Sequence, residues 1–137
     1  MVGQENVFAN EAAKRVDFYS QGFAARHAGN IDGARMLFQA QLLATPLHCG
    51  AAIALAEIEV QAGHSNMALA LARRAIRINE HPANHWGMLG AAYAGMFHFE
   101  ATIRAMKMGL DRDIEHIKLW HNLGIALYQE NRPLDAI

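Results

Sequence analysis

Two tryptophans open the same short pattern, Trp86-x-x-Leu89-Gly90 and Trp120-x-x-Leu123-Gly124, and they stand 34 residues apart. With 13 Leu and 11 Gly among 137 residues, chance would place Leu at +3 and Gly at +4 after both tryptophans in roughly 1 of 10⁴ sequences. A fixed period of this size is the mark of stacked supersecondary units, each burying its apolar face only against its neighbours. One step back from Trp86 reaches Ala52, with Leu55 and Ala56 in the Leu-Gly places, and a second step reaches Phe18, with Gln21 and Gly22. The second half of the unit recurs as well: Gly29 and Gly63 are 34 apart, and Ala34, Ala68 and Ala136 share a register that Ala101 misses by one. That miss predicts a third unit one residue short between Tyr93 and Ala101, with an altered turn at Gly95, Met96, Phe97 and His98.

Each unit reads as two helices. Small residues recur where helices cross, because a missing side chain lets the axes approach: Gly22, Ala56, Gly90 and Gly124 in the first helix, Ala34, Ala68 and Ala136 in the second. Gly29 and Gly63 end the first helix in a left-handed conformation that glycine adopts without steric cost. Asn30 and Ser65 then cap the second helix, and Pro46 and Pro82 close it. Helices are predicted at about 10–28, 31–44, 49–62, 65–79, 83–94, 98–110 and 117–130, with the start of an eighth. Alanine, at 26 of 137 residues, and only 3 prolines agree with an all-α chain.

The residues Trp86, Leu89, Gly90 and Tyr93, Trp120, Leu123 and Gly124, and Gly29, Ala34, Phe38 and Pro46 resemble the tetratricopeptide repeat family over about residues 15–137. On that resemblance an N-terminal extension (1–14) precedes units at 15–48, 49–82 and 83–116 and a partial unit at 117–137. Local departures are Ala52 in place of the aromatic, Glu59 in place of Tyr93, and no Pro at the end of the third unit. The resemblance implies an α-solenoid of antiparallel helix pairs, a right-handed superhelix whose first helices line a concave groove that docks a peptide or helix of another protein. Carried onto this chain, the groove positions are Tyr19, Phe23, Arg26 and His27; Ile53, Glu57 and Gln61; Asn84, Gly87 and Ala91; and Lys118, His121, Asn122 and Ile125. Tyr128 joins Tyr19 and Phe23 as an aromatic anchor, the residue type that dominates partner contacts. No catalysis follows from such a fold. The Lys/Asn clamp by which some members grip an acidic C-terminal peptide is absent, since Tyr19, Phe23, Ala54, Asn84 and Met88 occupy its places in one frame, and Ile53, Glu57, Met88, Lys118 and Asn122 in the next. The groove asparagine ladder of O-GlcNAc-transferase-like arrays is missing apart from Asn122.

Charge and composition remove other functions. A net charge of -1 gives no basic surplus for nucleic acid or an anionic membrane, and no run approaches 18 apolar residues. The opening residues lack an apolar signal core, and the single Cys49 excludes an internal disulfide, so the expected location is the cytoplasm. Of eight histidines, His81 and His85 straddle Pro82 and therefore a helix start, and His48, His81 and His116 fall at corners of successive units too far apart to share an ion. Neither a metal nor another cofactor is expected. Asp113 and Glu115 read as helix-start residues, Arg73, Arg74 and Arg77 as dipole-compensating cations, with an outer basic stripe for an acidic partner, joined by Arg104 and Lys107, as the alternative, and Met88, Met96, Met106 and Met108 as packing residues. The end at Asp135-Ala136-Ile137 leaves an apolar helix face without a polar cap. Two alternatives follow: the chain is the N-terminal recognition part of a longer enzyme, for example a glycosyltransferase or sulfotransferase, or its uncovered ends pair in a homo-oligomer.

Overall fold

The computed structural model describes residues 17–131, and these form seven α-helices and no strand. They are α1 (Phe18–His27), α2 (Ile31–Ala44), α3 (Cys49–Gln61), α4 (Ser65–Ile78), α5 (Ala83–Gly95), α6 (Phe99–Arg112) and α7 (Ile117–Glu130). The expected N-terminal extension, the first turns of the first predicted helix and the start of an eighth lie outside the described residues. Successive helices pack on one another as hairpins, α1 on α2, α3 on α4 and α5 on α6, and α3 also touches α5 across the unit boundary.

The 34-residue period is kept throughout, and this corrects the expected deletion in the third unit. First helices begin at Cys49, Ala83 and Ile117, and second helices at Ile31, Ser65 and Phe99. The register mate of Ala34 and Ala68 is therefore Thr102, not Ala101. Thr102 is buried, and its hydroxyl lies within hydrogen-bond reach of the Gly90 and His98 carbonyls, so a small polar residue replaces alanine without leaving a buried oxygen unpaired.

The turns between paired helices are one motif repeated. The N–H groups of Asn30, His64 and His98 donate back to the carbonyls of Ala25, Glu59 and Tyr93, a Schellman closure that needs a left-handed residue just before. Gly29 and Gly63 supply it at φ 83° and 84°. Phe97 occupies the same place at φ 61° and is 78% exposed, so the altered turn of the third unit is one of residue type and strain, not of length. Asn30 caps α2 through the Gly33 N–H at 2.9 Å. Ser65 does not cap α4, contrary to expectation, because it is already the first helical residue and His64 precedes it.

At the corners between units histidine does the capping. Nδ1 of His48 accepts from the Ala51 N–H at 2.9 Å and Nδ1 of His116 from the Leu119 N–H at 3.3 Å. Asp113, expected to open α7, instead ends α6 and accepts from the Glu115 N–H. Pro46 lies two residues past α2, and Pro82 is the residue that opens α5.

Carbonyls at one register position, Pro46, Glu80 and Ile114, are the latches between units. Trp120 Nε1 donates to Ile114 at 2.6 Å and Trp86 Nε1 to Glu80 at 2.8 Å, where Arg112 also donates and lies 4.7 Å over the indole. Ala52 has no indole to offer, and Arg74 Nη2 serves Pro46 instead at 2.8 Å. The small crossing residues behave as the spacing predicts. A Cβ on Gly22 would stand 2.5 Å from the Phe38 ring and one on Gly90 2.7 Å from the Met106 methyl, whereas one on Gly124 would meet nothing within 4 Å.

Candidate functional site

Facing residues of α3, α5 and α7 enclose a groove of about 380 Å³. Ile53, Glu57 and Gln61 come from α3, Asn84, Gly87 and Ala91 from α5, and Lys118 and Asn122 from α7; Val60, Met88, His116 and Leu119 complete the walls. Residues four apart share a helix face, which explains why Ile53, Glu57 and Gln61, or Gly87 and Ala91, open on one space. Gly87 has a packing reason to be glycine, since a Cβ there would stand 2.7 Å from Leu119 Cδ2. A smaller adjoining space of about 220 Å³ is lined by Ile125 and again by Ala91 and Asn122.

The electrostatics centre on Glu57. Arg26 grips its carboxylate with both terminal guanidinium nitrogens, Nη2 at 2.8 Å and Nη1 at 3.1 Å, across the first unit boundary. That hydrogen bond holds the Glu57 carboxyl below its ordinary value against partial burial, and the Lys118 charge adds to the effect. The groove therefore presents a neutralised carboxylate, a lysine, the Asn84 and Asn122 amides and apolar walls. It can hydrogen-bond a main chain and seat apolar side chains. Among the described residues, no three His, Cys, Asp or Glu side chains come together in a group that could hold a metal ion.

The other sequence-predicted positions fall elsewhere. Tyr19 and Phe23 are half-buried in an aromatic cluster, 4.9 Å apart edge to face, with Phe38 at 6.0 and 5.2 Å and the His48 ring 4.6 Å from Tyr19. The Tyr19 N–H donates to the buried Gln41 side chain, and burial, with Cys49 nearby, raises its phenol above the ordinary value. His27 and His121 are exposed and line neither space, and Tyr128 is 61% exposed. Among the methionines Met106 is buried, Met88 lines the groove and Met108 is exposed. Arg73 donates to the Tyr93 hydroxyl at 2.8 Å and Arg104 pairs with Glu100, so two members of the alternative basic stripe are engaged within the chain.

A second charged cluster carries no sequence signal beyond the odd residue at 59. Glu59 is buried, with Arg35 Nε at 2.7 Å and His64 Nδ1 at 2.9 Å. Burial alone would raise this carboxyl, but the hydrogen bonds from Arg35 and His64 outweigh it and the net shift is downward. His85 is buried too, its Nδ1–H donating to the Asn79 carbonyl, and burial lowers it below the ordinary imidazole value.

No protein-family model matches the chain, and no curated protein is similar to it in sequence. Solved structures do share its fold. An O-GlcNAc transferase from Thermobaculum terrenum superposes with a TM-score of 0.80 at 21% identity over 85% of this chain. MamA from Desulfovibrio magneticus gives 0.76 at 25% identity over 83%, and the first TPR domain of Spaghetti (RPAP3), bound to an HSP90 peptide, gives 0.81 at 14% over 86%. The fold is of the tetratricopeptide-repeat type. This tetratricopeptide-type array spans 22% of the transferase chain and 64% of the MamA chain, but matches 96% of the Spaghetti domain. No helix among the described residues is long and apolar enough to cross a membrane.

Proposed function

We propose that the chain is a non-catalytic docking module whose groove binds an extended peptide or a helix of a partner protein. The observation that carries this reading is the convergence of Ile53, Glu57, Asn84, Lys118 and Asn122, from three helices, on one open space. Apolar walls with a few polar groups fixed in place are what a ligand site requires. That a neighbour of the same fold holds an HSP90 peptide supports the mode of binding; the absence of the Lys/Asn clamp argues for a different peptide. Panning a displayed peptide library on the purified chain tests it. Selected peptides should lose at least about tenfold in affinity for Lys118→Ala/Asn122→Ala, whose fold circular dichroism verifies, and unchanged affinity would refute the groove.

A second reading rests on the likeness to the O-GlcNAc transferase, of which the array matches 22%: the same groove serves as the recognition part of a longer enzyme, such as a glycosyltransferase or sulfotransferase. A reading frame that stops directly after Ile137 would sink it.

A further inference from the structure

Beside the groove, a space of about 220 Å³ opens between α5, α6 and α7, walled by Ala91, Ala94, Phe99, Met106, Ile125 and Ala126 and joined to the groove at Ala91 and Asn122. The corresponding place is filled at both earlier joints. Thr102 and Ala126, on its walls, correspond to Ala68 and Ala92 one period back and to Ala34 and Ile58 two periods back, in the 34-residue register that the helix starts keep. One period back, Val60 and Met88 pack on the cluster that holds Ala68 and Ala92. Two periods back, the Phe23 ring packs on the cluster that holds Ala34 and Ile58. Their counterparts at the third joint are Ala94 for Val60, Asn122 for Met88 and Ala91 for Phe23, so short or polar residues stand where the fillers stood and the volume is open.

We propose that the segment docked in the groove carries a phenylalanine whose ring enters this pocket and an acidic residue that pairs with Lys118; this deepens the groove reading and rests on it. An apolar cavity of about 150 Å³ already holds a benzene ring, and the Phe99 and Met106 side chains on the walls offer it aromatic and thioether contacts. The charge is complementary as well. Arg26 already neutralises Glu57, and Lys118 forms no ion pair among the described residues, so the groove keeps a cation without a carboxylate. Lys118 and Asn122 share a face of α7, and the level of Ile125 lies about 10 Å along the helix from Lys118. Three residues of polyproline II span about 9 Å and return to the same face, which sets the acid and the ring three places apart.

Isothermal titration calorimetry of the full chain with the blocked peptide Asp-Ala-Ala-Phe-Ala-Ala-Asp tests this, since a carboxylate stands three places from the ring in either chain direction. A peptide with Ala in place of Phe should bind at least about tenfold more weakly, and one with Asn in place of both Asp about fivefold more weakly. Ala94→Val, the residue that the second unit carries at this place, and the longer Ala94→Leu should remove the preference in steps, lowering the Phe peptide toward the Ala peptide and leaving the Ala peptide unchanged. Lys118→Ala should weaken both Asp peptides about fivefold and leave the Asn peptide as it was. Circular dichroism verifies the fold of each variant. The proposal is overturned if the Phe peptide does not bind, if the wild-type chain holds the Phe and Ala peptides equally, if the preference survives Ala94→Leu, or if the Asn substitution costs nothing. In the last three cases a loss of affinity in Lys118→Ala/Asn122→Ala leaves the groove standing without this specificity, whereas unchanged affinity removes the groove as well.

Discussion

Replacing each crossing glycine by alanine separates helix propensity from packing, because Gly22, Gly90 and Gly124 share a register but face different neighbours. In a helix interior the exchange gains about 1 kcal/mol from propensity alone. At Gly124, where the new methyl meets nothing within 4 Å, that gain stands, and with about 4 °C per kcal/mol for a chain of this size the melting temperature should rise by about 4 °C. At Gly22 the methyl would stand 2.5 Å from Cε1 of Phe38, a fully buried ring flanked by Tyr19 and Phe23. The ring has nowhere to swing, and overpacking of about 1–3 kcal/mol exceeds the propensity gain, for a net loss of about 1 kcal/mol. At Gly90 the clash is with the flexible end of Met106, so the two effects nearly cancel. Thermal unfolding followed by circular dichroism reads all three. A loss of stability in Gly124→Ala would refute the open face of α7, and a gain in Gly22→Ala would refute the fit of Phe38 against that glycine.

Glu59→Gln should cost about 1–2 kcal/mol, since it removes the charge from hydrogen bonds to Arg35 and His64. Because the folded-state value of Glu59 is lowered, its contribution is complete above the unfolded carboxyl value of about 4.3 and is lost as pH falls through the depressed folded value; acid melts should therefore be flatter for Glu59→Gln, and parallel curves would refute the pairing. His116→Ala should lose about 1 kcal/mol while His116→Asn retains most of it, because Asn accepts the Leu119 N–H as the imidazole does; equal losses in denaturant unfolding would refute capping. Phe97→Gly should gain about 0.5 kcal/mol, the left-handed cost of about 1–2 kcal/mol less glycine's extra backbone entropy of about 0.5–1 kcal/mol, and a loss above about 1 kcal/mol in the same measurement would show that the exposed ring holds the turn.

The repeat is legible in the sequence because its punctuation is backbone chemistry: Gly29 and Gly63 stand where φ turns positive, and the Trp-Leu-Gly spacing marks helix crossings. The groove positions come from what the family resemblance implies, carried onto this chain residue by residue, and of them Ile53, Glu57, Asn84, Lys118 and Asn122 line one space. The third-unit register is not legible, because Ala101 matches only by residue type, whereas burial selects the position, and Thr102 meets it through two nearby carbonyls. Capping by His48 and His116 is not legible either, since an imidazole accepts an N–H only when the corner aims Nδ1 at it. Gly22 gives no hint that it makes room for Phe38, so Tyr19 and Phe23 read as groove residues alone, although their rings also close that cluster.

Among the described residues, both ion pairs that join different units, Arg26 with Glu57 and Arg35 with Glu59, cross the boundary between the first and second units. The next boundary is held by an indole, a tyrosine and stacked guanidinium groups. The two joints thus answer differently to salt. Added salt screens the part-exposed Arg26–Glu57 pair of the first and screens the Arg35 pair at the buried Glu59 less, while the second has no ion pair across it among the described residues, so rising ionic strength loosens the array at its first joint before the next.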